Sequence, residues 1–203
     1  MTILGAVLVG GKSQRFGSNK ADAQLAGVSL LTHQLNLLRT VPVDRLAYVG
    51  GEPRNEIPLT IDYVNDGLVG VDISERSSLL GILAALTFAR DMECDSAIIL
   101  GCDVPFITND SLRQLVAALR NSSSTCDIAV ASSSTERDHW SIMAAHTFAL
   151  TPLREAYIQG ERAVHRAVAS LQVARVVVSE VETVNINDQT TLADITADLR
   201  AAR

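Results

Sequence analysis

Along the chain, short apolar runs alternate with longer segments whose apolar residues recur at helical spacing. The run Ile3 to Val9, stopped by Gly10-Gly11, predicts a buried strand. Arg45 to Val49, closed by Gly50-Gly51, predicts a second, and Thr60 to Val64, leading into Asn65-Asp66, a third. The β-branched run Ala97 to Leu100 suits a central strand, and Asp127 to Ala131 and Arg175 to Ser179 continue the series. Helical spacing predicts helices over Leu30 to Leu38, Ile82 to Arg90, Ser111 to Leu119, Thr151 to Tyr157, Ala163 to Leu171 and Thr191 to Leu199, with Ser77 or Ser78 as N-cap of the second. Gly67 to Ser77 is weakly patterned and reads as a surface loop, and Asn121 to Thr125 as a serine-rich turn. Strand and helix alternate throughout, which predicts an α/β fold: a three-layer, Rossmann-like, mostly parallel sheet with helices on both faces.

In such sheets ligands bind beyond the carboxyl ends of the strands, so the residues after each apolar run carry the functional interest. That rule selects Gly50, Gly51 and Asp66, the last of which also reads as an ordinary turn aspartate, while Gly10 and Gly11 open a candidate phosphate-binding loop. The first loop is locally basic: Lys12, Arg15 and Lys20 precede the first acidic residue, Asp22. Glycines let successive backbone N–H groups form a concave anion site, and the cations complete a phosphate cage. Lys12 and Lys20 are the only lysines in a chain with fifteen arginines, and an ammonium is not interchangeable with a guanidinium at a phosphate. The alternative is a glycine turn with solvated charges. Gly11-Lys12-Ser13 is not a Walker A loop, because Ala6 stands where that motif needs glycine, and the dinucleotide fingerprint is absent.

A second signal follows the central run, at Gly101-Cys102-Asp103-Val104-Pro105-Phe106. Proline cannot extend the ladder, so Asp103 emerges at a strand end, where it serves either as a turn residue or as a hard oxygen ligand for Mg²⁺. Cys102 reads as a packing residue. Gly81 at a helix start would let a nucleotide lie against the backbone. Arg162, ahead of a helix, would meet a second anionic substrate or be solvated. Alternation over Val184-Asn185-Ile186-Asn187 puts Asn185 and Asn187 on one face.

Composition narrows the partners. A length of 203 residues at 47% hydrophobic suits one domain over 1–203 with a complete core. The net charge of −6 is the wrong balance for nucleic acid or an acidic membrane surface. Three cysteines without a close pair argue against a disulfide framework or zinc site and for a reducing cytoplasm. The opening run lacks a basic n-region, so it reads as a strand rather than a signal peptide, and no apolar stretch is long enough to span a bilayer.

The stretch Leu8-Val9-Gly10-Gly11-Lys12-Ser13-Gln14-Arg15-Phe16-Gly17-Ser18-Asn19-Lys20 resembles the nucleotidyltransferase signature Leu-Ala-Gly-Gly-x-Ser-x-Arg-Met-Gly-x-Asp-Lys, in the double-glycine form of the molybdenum cofactor guanylyltransferases. Val9, Phe16 and Asn19 depart from it. Cys102-Asp103-Val104-Pro105-Phe106 resembles the family's Cys-Asp-x-Pro-Phe motif at every fixed position, Glu136-Arg137-Asp138-His139-Trp140 its Glu-Arg-Asp-His-Pro stretch, and Asn185-Ile186-Asn187 its Asn-x-Asn motif. Only Leu79 and Gly81 match its Gly-Pro-Leu-Ala-Gly segment. The resemblance implies a nucleotide-diphospho-sugar transferase-like fold and transfer of GMP from GTP to molybdopterin cofactor, with Mg²⁺ required. It further implies nucleotide contacts at Leu8, Val9, Gly10, Gly11 and Lys20, and catalytic charge stabilisation by Arg15, Lys20 and Asp103. Mg²⁺ is expected on Asp103 and Asn187, and pterin-side contacts at His139, Asn185 and Asn187 beside Arg162. Proteins that deliver the pterin and accept the finished cofactor are implied partners. Two alternatives stand beside this reading: a cytidylyltransferase or other nucleotidyltransferase of the same fold, and a nucleotide-binding regulator without catalysis.

Overall fold

A computed structural model of the protein describes residues 1–10, 19–71, 77–121 and 126–201. Its principal strands are β1 (Ile3–Leu8), β4 (Arg45–Val49), β5 (Asp62–Val64), β6 (Ser96–Gly101), β7 (Ile128–Ser132), β8 (Asp138–His146) and β9 (Val173–Val177); β2 (Gln24–Leu25) and β3 (Val28–Ser29) form a small separate hairpin. The helices are α1 (Leu30–Leu38), α2 (Ser78–Asp91), α3 (Asn109–Arg120), α4 (Leu150–Ile158), α5 (Val164–Ala167) and α6 (Gln189–Ala201).

The large sheet has the order β5-β4-β1-β6-β8-β7-β9. β1 pairs in parallel with β4 on one side and β6 on the other, so the strand order reverses around β1 and opens a crevice at its carboxyl end. β8 alone runs antiparallel, against both β6 and β7. Side chains alternate across the sheet and feed two cores. Leu4, Ala6 and Leu8 face α2, α4 and α5, whereas Ile3, Val7 and Val9 face α1 and α3. This is the three-layer α/β arrangement that the alternating pattern predicts.

Several elements differ from the sequence reading, and four show a local reason. α2 begins at Ser78, a turn before Ile82, because the Ser77 hydroxyl accepts the Leu80 N–H (3.2 Å) and caps it, while Leu79 and Leu80 are fully buried. β5 starts only at Asp62, since the Ile61 N–H is spent in a turn on the Pro58 carbonyl (2.9 Å). α5 is a single turn instead of a helix over Ala163 to Leu171. The chain must leave it for Gln172 to exchange hydrogen bonds with Asp127 at the start of β7 (2.7 and 2.8 Å). β8 reaches back to Asp138 because it straddles the sheet edge: its first four residues are only half buried, so they lack an apolar signature.

A third, small core ties down the last segment. Fully buried Ile186 packs with Leu25 and Leu30, and Leu192 and Ile195 of α6 close over it. The Ile186 N–H donates to the Asp103 carbonyl (2.9 Å), which brings the end of the chain beside the end of β6 without making it a strand.

Candidate active site at the carboxyl edge of the sheet

Lys20 is where three distant segments meet. Its Nζ donates to Asp103 Oδ2 at 2.8 Å, Asn187 Oδ1 at 3.1 Å and Asn185 Oδ1 at 3.5 Å. The side chains of Lys20 and Asp103 are only 14% and 21% exposed, so this ion pair is weakly screened and fixed in direction. Each member has its own support. Lys20 opens a single 3-10 turn, Lys20–Asp22, anchored by the fully buried Ala21 and capped by Asn19, whose Oδ1 accepts the Ala21 N–H (3.2 Å). Asn19 thus supplies the cap oxygen that an aspartate would. Asp103 stands in the turn two residues beyond the end of β6, and the Gln34 amide of α1 donates to the Val104 carbonyl (2.7 Å) to hold the chain that follows. Asn185 and Asn187 flank the buried Ile186 and face the same way, as their alternation predicts.

Beside this cluster the loops after β1, β4 and β5 converge. A Cβ built on Gly50 would lie 3.0 Å from Asp66 Oδ1 and 3.1 Å from Gly10, and Gly50 has a φ of +84°. Close approach and backbone conformation therefore both require glycine there. Gly10 differs: among the described residues a Cβ on it meets nothing closer than 3.7 Å, so their packing does not require it to be glycine. Asp66 is a buried carboxylate in the first position of the 3-10 turn Asp66–Val69, which Asn65 caps. Val9 stays tied to β4 through its N–H to the Val49 carbonyl (2.9 Å). The space above Gly81 is occupied by the side chain of Leu8, 3.3 Å from a Cβ built there. That glycine lets α2 close on β1, a packing role that stands beside the nucleotide contact expected of it.

His139, in the edge-straddling half of β8, is half buried; burial first, and then Arg137, lowers its pKa, and its Nε2 is buried without a hydrogen-bond partner. Register places this half of β8 next to the end of β6: Ile142 pairs with Leu100, and Ser141 lies within 3.1 Å of a Cβ built on Gly101. Arg162 sits instead in the corner between α4 and α5. Its guanidinium lies 3.9 Å from the Tyr157 ring centroid and donates to the Tyr157 and Glu161 carbonyls (2.8 and 3.0 Å). Cys102 is a packing residue, as its sequence setting suggests. Burial, followed by the neighbouring Asp103, pushes its thiol up to about 12, far from a usable thiolate. Gly11, Lys12 and Arg15, together with residues 72–76 of the Gly67 to Ser77 segment, lie outside the described residues.

Sequence reasoning passed over four supporting residues. Gln34 and Ile186 carry no chemical signal in sequence and act only through tertiary contacts. Arg54 and Asp22 form an ion pair (2.9 Å) across 32 positions at the foot of the Lys20 turn, a separation that no local pattern reveals. Among the described residues, no three His, Cys, Asp or Glu side chains gather into a metal site, and no helix is long and apolar enough to cross a membrane.

The sequence profile of the MobA-like NTP transferase domain matches residues 5–181, a span that contains Lys20, Asp66 and Asp103. A molybdenum cofactor guanylyltransferase of Rhizobium leguminosarum is 34% identical over 134 residues, 64% of this chain and 57% of the relative. One from Rhodobacter capsulatus is 29% identical over 118 residues, 58% of this chain and 60% of the relative. The matched segments thus span somewhat over half the length of these relatives. Among solved structures, the molybdopterin-guanine dinucleotide biosynthesis protein A of Archaeoglobus fulgidus superposes with a TM-score of 0.75 over 98% of this chain and 99% of its own, at 21% identity. The 2-C-methyl-D-erythritol 4-phosphate cytidylyltransferase of Thermus thermophilus follows at 0.69 over 98% and 100%, at 17% identity. Identities this low establish a shared nucleotidyltransferase fold. With the profile covering most of the chain, from β1 to the turn beyond β9, the protein belongs to the MobA-like NTP transferase family.

Proposed function

We propose that the protein transfers GMP from GTP to the terminal phosphate of the molybdopterin cofactor, releasing pyrophosphate. The observation that carries this reading is the Lys20 ammonium, held at the carboxyl edge by oxygens from Asp103, Asn185 and Asn187. An acceptor phosphate oxygen attacks the α-phosphorus, the bond from that phosphorus to the bridging oxygen breaks, and pyrophosphate takes the electron pair. A phosphate acceptor is already ionised near neutral pH, so the site needs no basic side chain, and Cys102 with its raised pKa supplies none. The chain's part is positioning and charge neutralisation. Lys20 and Arg15 are assigned to the reacting and leaving phosphates, and the amides of Gly10 and Gly11 to the triphosphate.

A divalent cation suits the same place. Carboxylate and amide oxygens are the donors that Mg²⁺ prefers, and those of Asp103 and Asn187 already converge on a positive charge. Asp103 and Asn187 would hold Mg²⁺, which supplies neutralisation of phosphate charge when bound. His139, Asn185 and Asn187 are assigned to the pterin side. Arg162 is assigned there too, provided its guanidinium can leave the Tyr157 corner. A cytoplasmic setting and protein partners that supply the pterin and take the product complete the proposal.

Base choice rests on Gly10. Protein packing leaves room for a Cβ there, so the glycine is free to serve a close approach by a purine edge. That same room keeps CTP as the second reading, because an alanine would fit without strain. Calorimetric titration with GTP, CTP and ATP in Mg²⁺ decides between them. We expect GTP to bind tightest and Gly10→Ala to weaken GTP more than CTP. A preference for CTP would overturn guanylyl transfer, and nucleotide binding without pyrophosphate release in the presence of the pterin acceptor would favour a regulator.

A further inference from the structure

We propose that Arg54 is a positioning residue for Lys20, acting through Asp22. The loop after β4 is built to hold Arg54 still. Gly50 and Gly51 take φ values of +84° and +67°, and Pro53 restricts the next turn. Two tyrosines of the sheet then staple the loop from below. The Tyr48 hydroxyl accepts the Arg54 N–H (2.9 Å), and the Tyr63 hydroxyl donates to the Gly51 carbonyl (2.8 Å). The Tyr48 and Tyr63 rings themselves pack together, with centroids 5.3 Å apart.

From this base the Arg54 side chain runs inward and is only 6% exposed. Its guanidinium lies over the Tyr48 ring at 5.8 Å, and Nη1 donates to the Glu52 carbonyl (3.1 Å). Nε donates to Asp22 Oδ1 (2.9 Å), while Nη2 is buried without a partner. Among the described residues one carboxylate, that of the half-exposed Asp22, pairs with a guanidinium that is almost wholly removed from water, so losing it leaves a buried cation without its partner. Asp22 is the last residue of the turn that Lys20 opens, and the turn also closes through the Ala23 N–H on the Lys20 carbonyl (3.1 Å). Fixing Asp22 fixes the azimuth of a three-residue turn. That azimuth decides whether the Lys20 ammonium reaches Asp103 and Asn187. Arg54 touches none of the oxygens around Lys20, so its influence travels through backbone placement.

The catalytic meaning of this inference rests on the nucleotidyltransferase reading, but its test does not. Because the chain has only two lysines, acetylation by a water-soluble amine reagent can be read at Lys12 and Lys20 separately by peptide mass spectrometry. In the wild type Lys20 is held by three oxygens and should react slowly. Arg54→Met should raise the Lys20 rate about tenfold relative to Lys12, and Asp22→Ala, at a half-exposed position that leaves the fold intact, should do the same. The swap Asp22→Arg with Arg54→Asp should recover part of the protection. In turnover assays both single variants should lower kcat about tenfold with KM for GTP within about threefold, the split expected when a reacting group is misplaced. Unchanged Lys20 labelling in folded Asp22→Ala would overturn the inference. Failure of the wild type to release pyrophosphate would instead overturn the proposed function and leave the labelling result standing.

Discussion

The sparing use of lysine acquires a physical reason at residue scale. A small ammonium with three donors sits at the common point of Asp103, Asn185 and Asn187, and a larger guanidinium with its donors fixed in a planar fork is not its equivalent there. Lys20→Arg is accordingly expected to keep the fold and the net charge but to lower kcat about a hundredfold, a loss of roughly 3 kcal/mol of transition-state stabilisation. Circular dichroism and steady-state kinetics on the same preparation check both halves of that statement. Wild-type kcat in the arginine variant would remove Lys20 from the chemistry. Gly10 and Gly50 teach the complementary lesson that one residue type answers to different causes: among the described residues, packing demands Gly50 and leaves room for a Cβ at Gly10.

For elements, the telling piece is the short segment around Ile186, which is neither helix nor strand and yet delivers two site residues. Beside the Lys20 hydrogen bonds to its asparagines, it is held by one buried side chain and one backbone hydrogen bond to Asp103. Ile186→Ala should cost about 2–4 kcal/mol if the cavity stays open. Much of that cost should appear locally, as faster amide exchange of the Ile186 N–H with little change in β1 and β6. Exchange that speeds up uniformly across the sheet would show that this small core is part of the global unit. The strands β1, β6 and β7 were legible in sequence because every residue in them is buried and their apolar runs are continuous, whereas β5 and the edge strand β9 are only partly buried and their bounds shift. β8 was not legible, because its polar first half lies open at the site edge and its apolar half is short. The Asn185/Asn187 pairing was legible from alternation alone. Their meeting with Lys20, 165 and 167 positions away, depended on family resemblance, since no local pattern encodes a contact across the whole chain.

For the whole molecule, one carboxylate buried among hydrogen-bond donors ties distant elements together. Glu182 accepts from Thr108 (2.6 and 3.1 Å), Ser111 (2.6 Å) and Ser179 (2.9 and 3.0 Å), which joins the start of α3 to the exit of β9. Burial alone would raise its pKa, but these bonds together outweigh it and hold the carboxyl at about 2, below its ordinary 4.5. A depressed folded pKa stabilises the protein above the unfolded value and stops doing so as pH falls through the folded one. The contribution, about 3 kcal/mol at most, is therefore complete at neutral pH and is lost between about pH 4.5 and pH 2. Denaturant unfolding of wild type and Glu182→Gln should differ at pH 7 and converge toward pH 2. A gap that is constant with pH would mean that shape rather than charge sets the effect. The reversed strand β8 has a consequence of another kind. Parallel strands return through helices, but β7 and β8 are joined at the carboxyl edge by a tight turn, with the Ser133 N–H on the Arg137 carbonyl (3.0 Å) and Glu136 at a φ of 60°. Lengthening a surface turn costs little chain entropy, growing only with the logarithm of its length. The architecture thus leaves one stretch of the carboxyl rim, the turn between β7 and β8, that can be lengthened or rewritten while the parallel strands stay as they are.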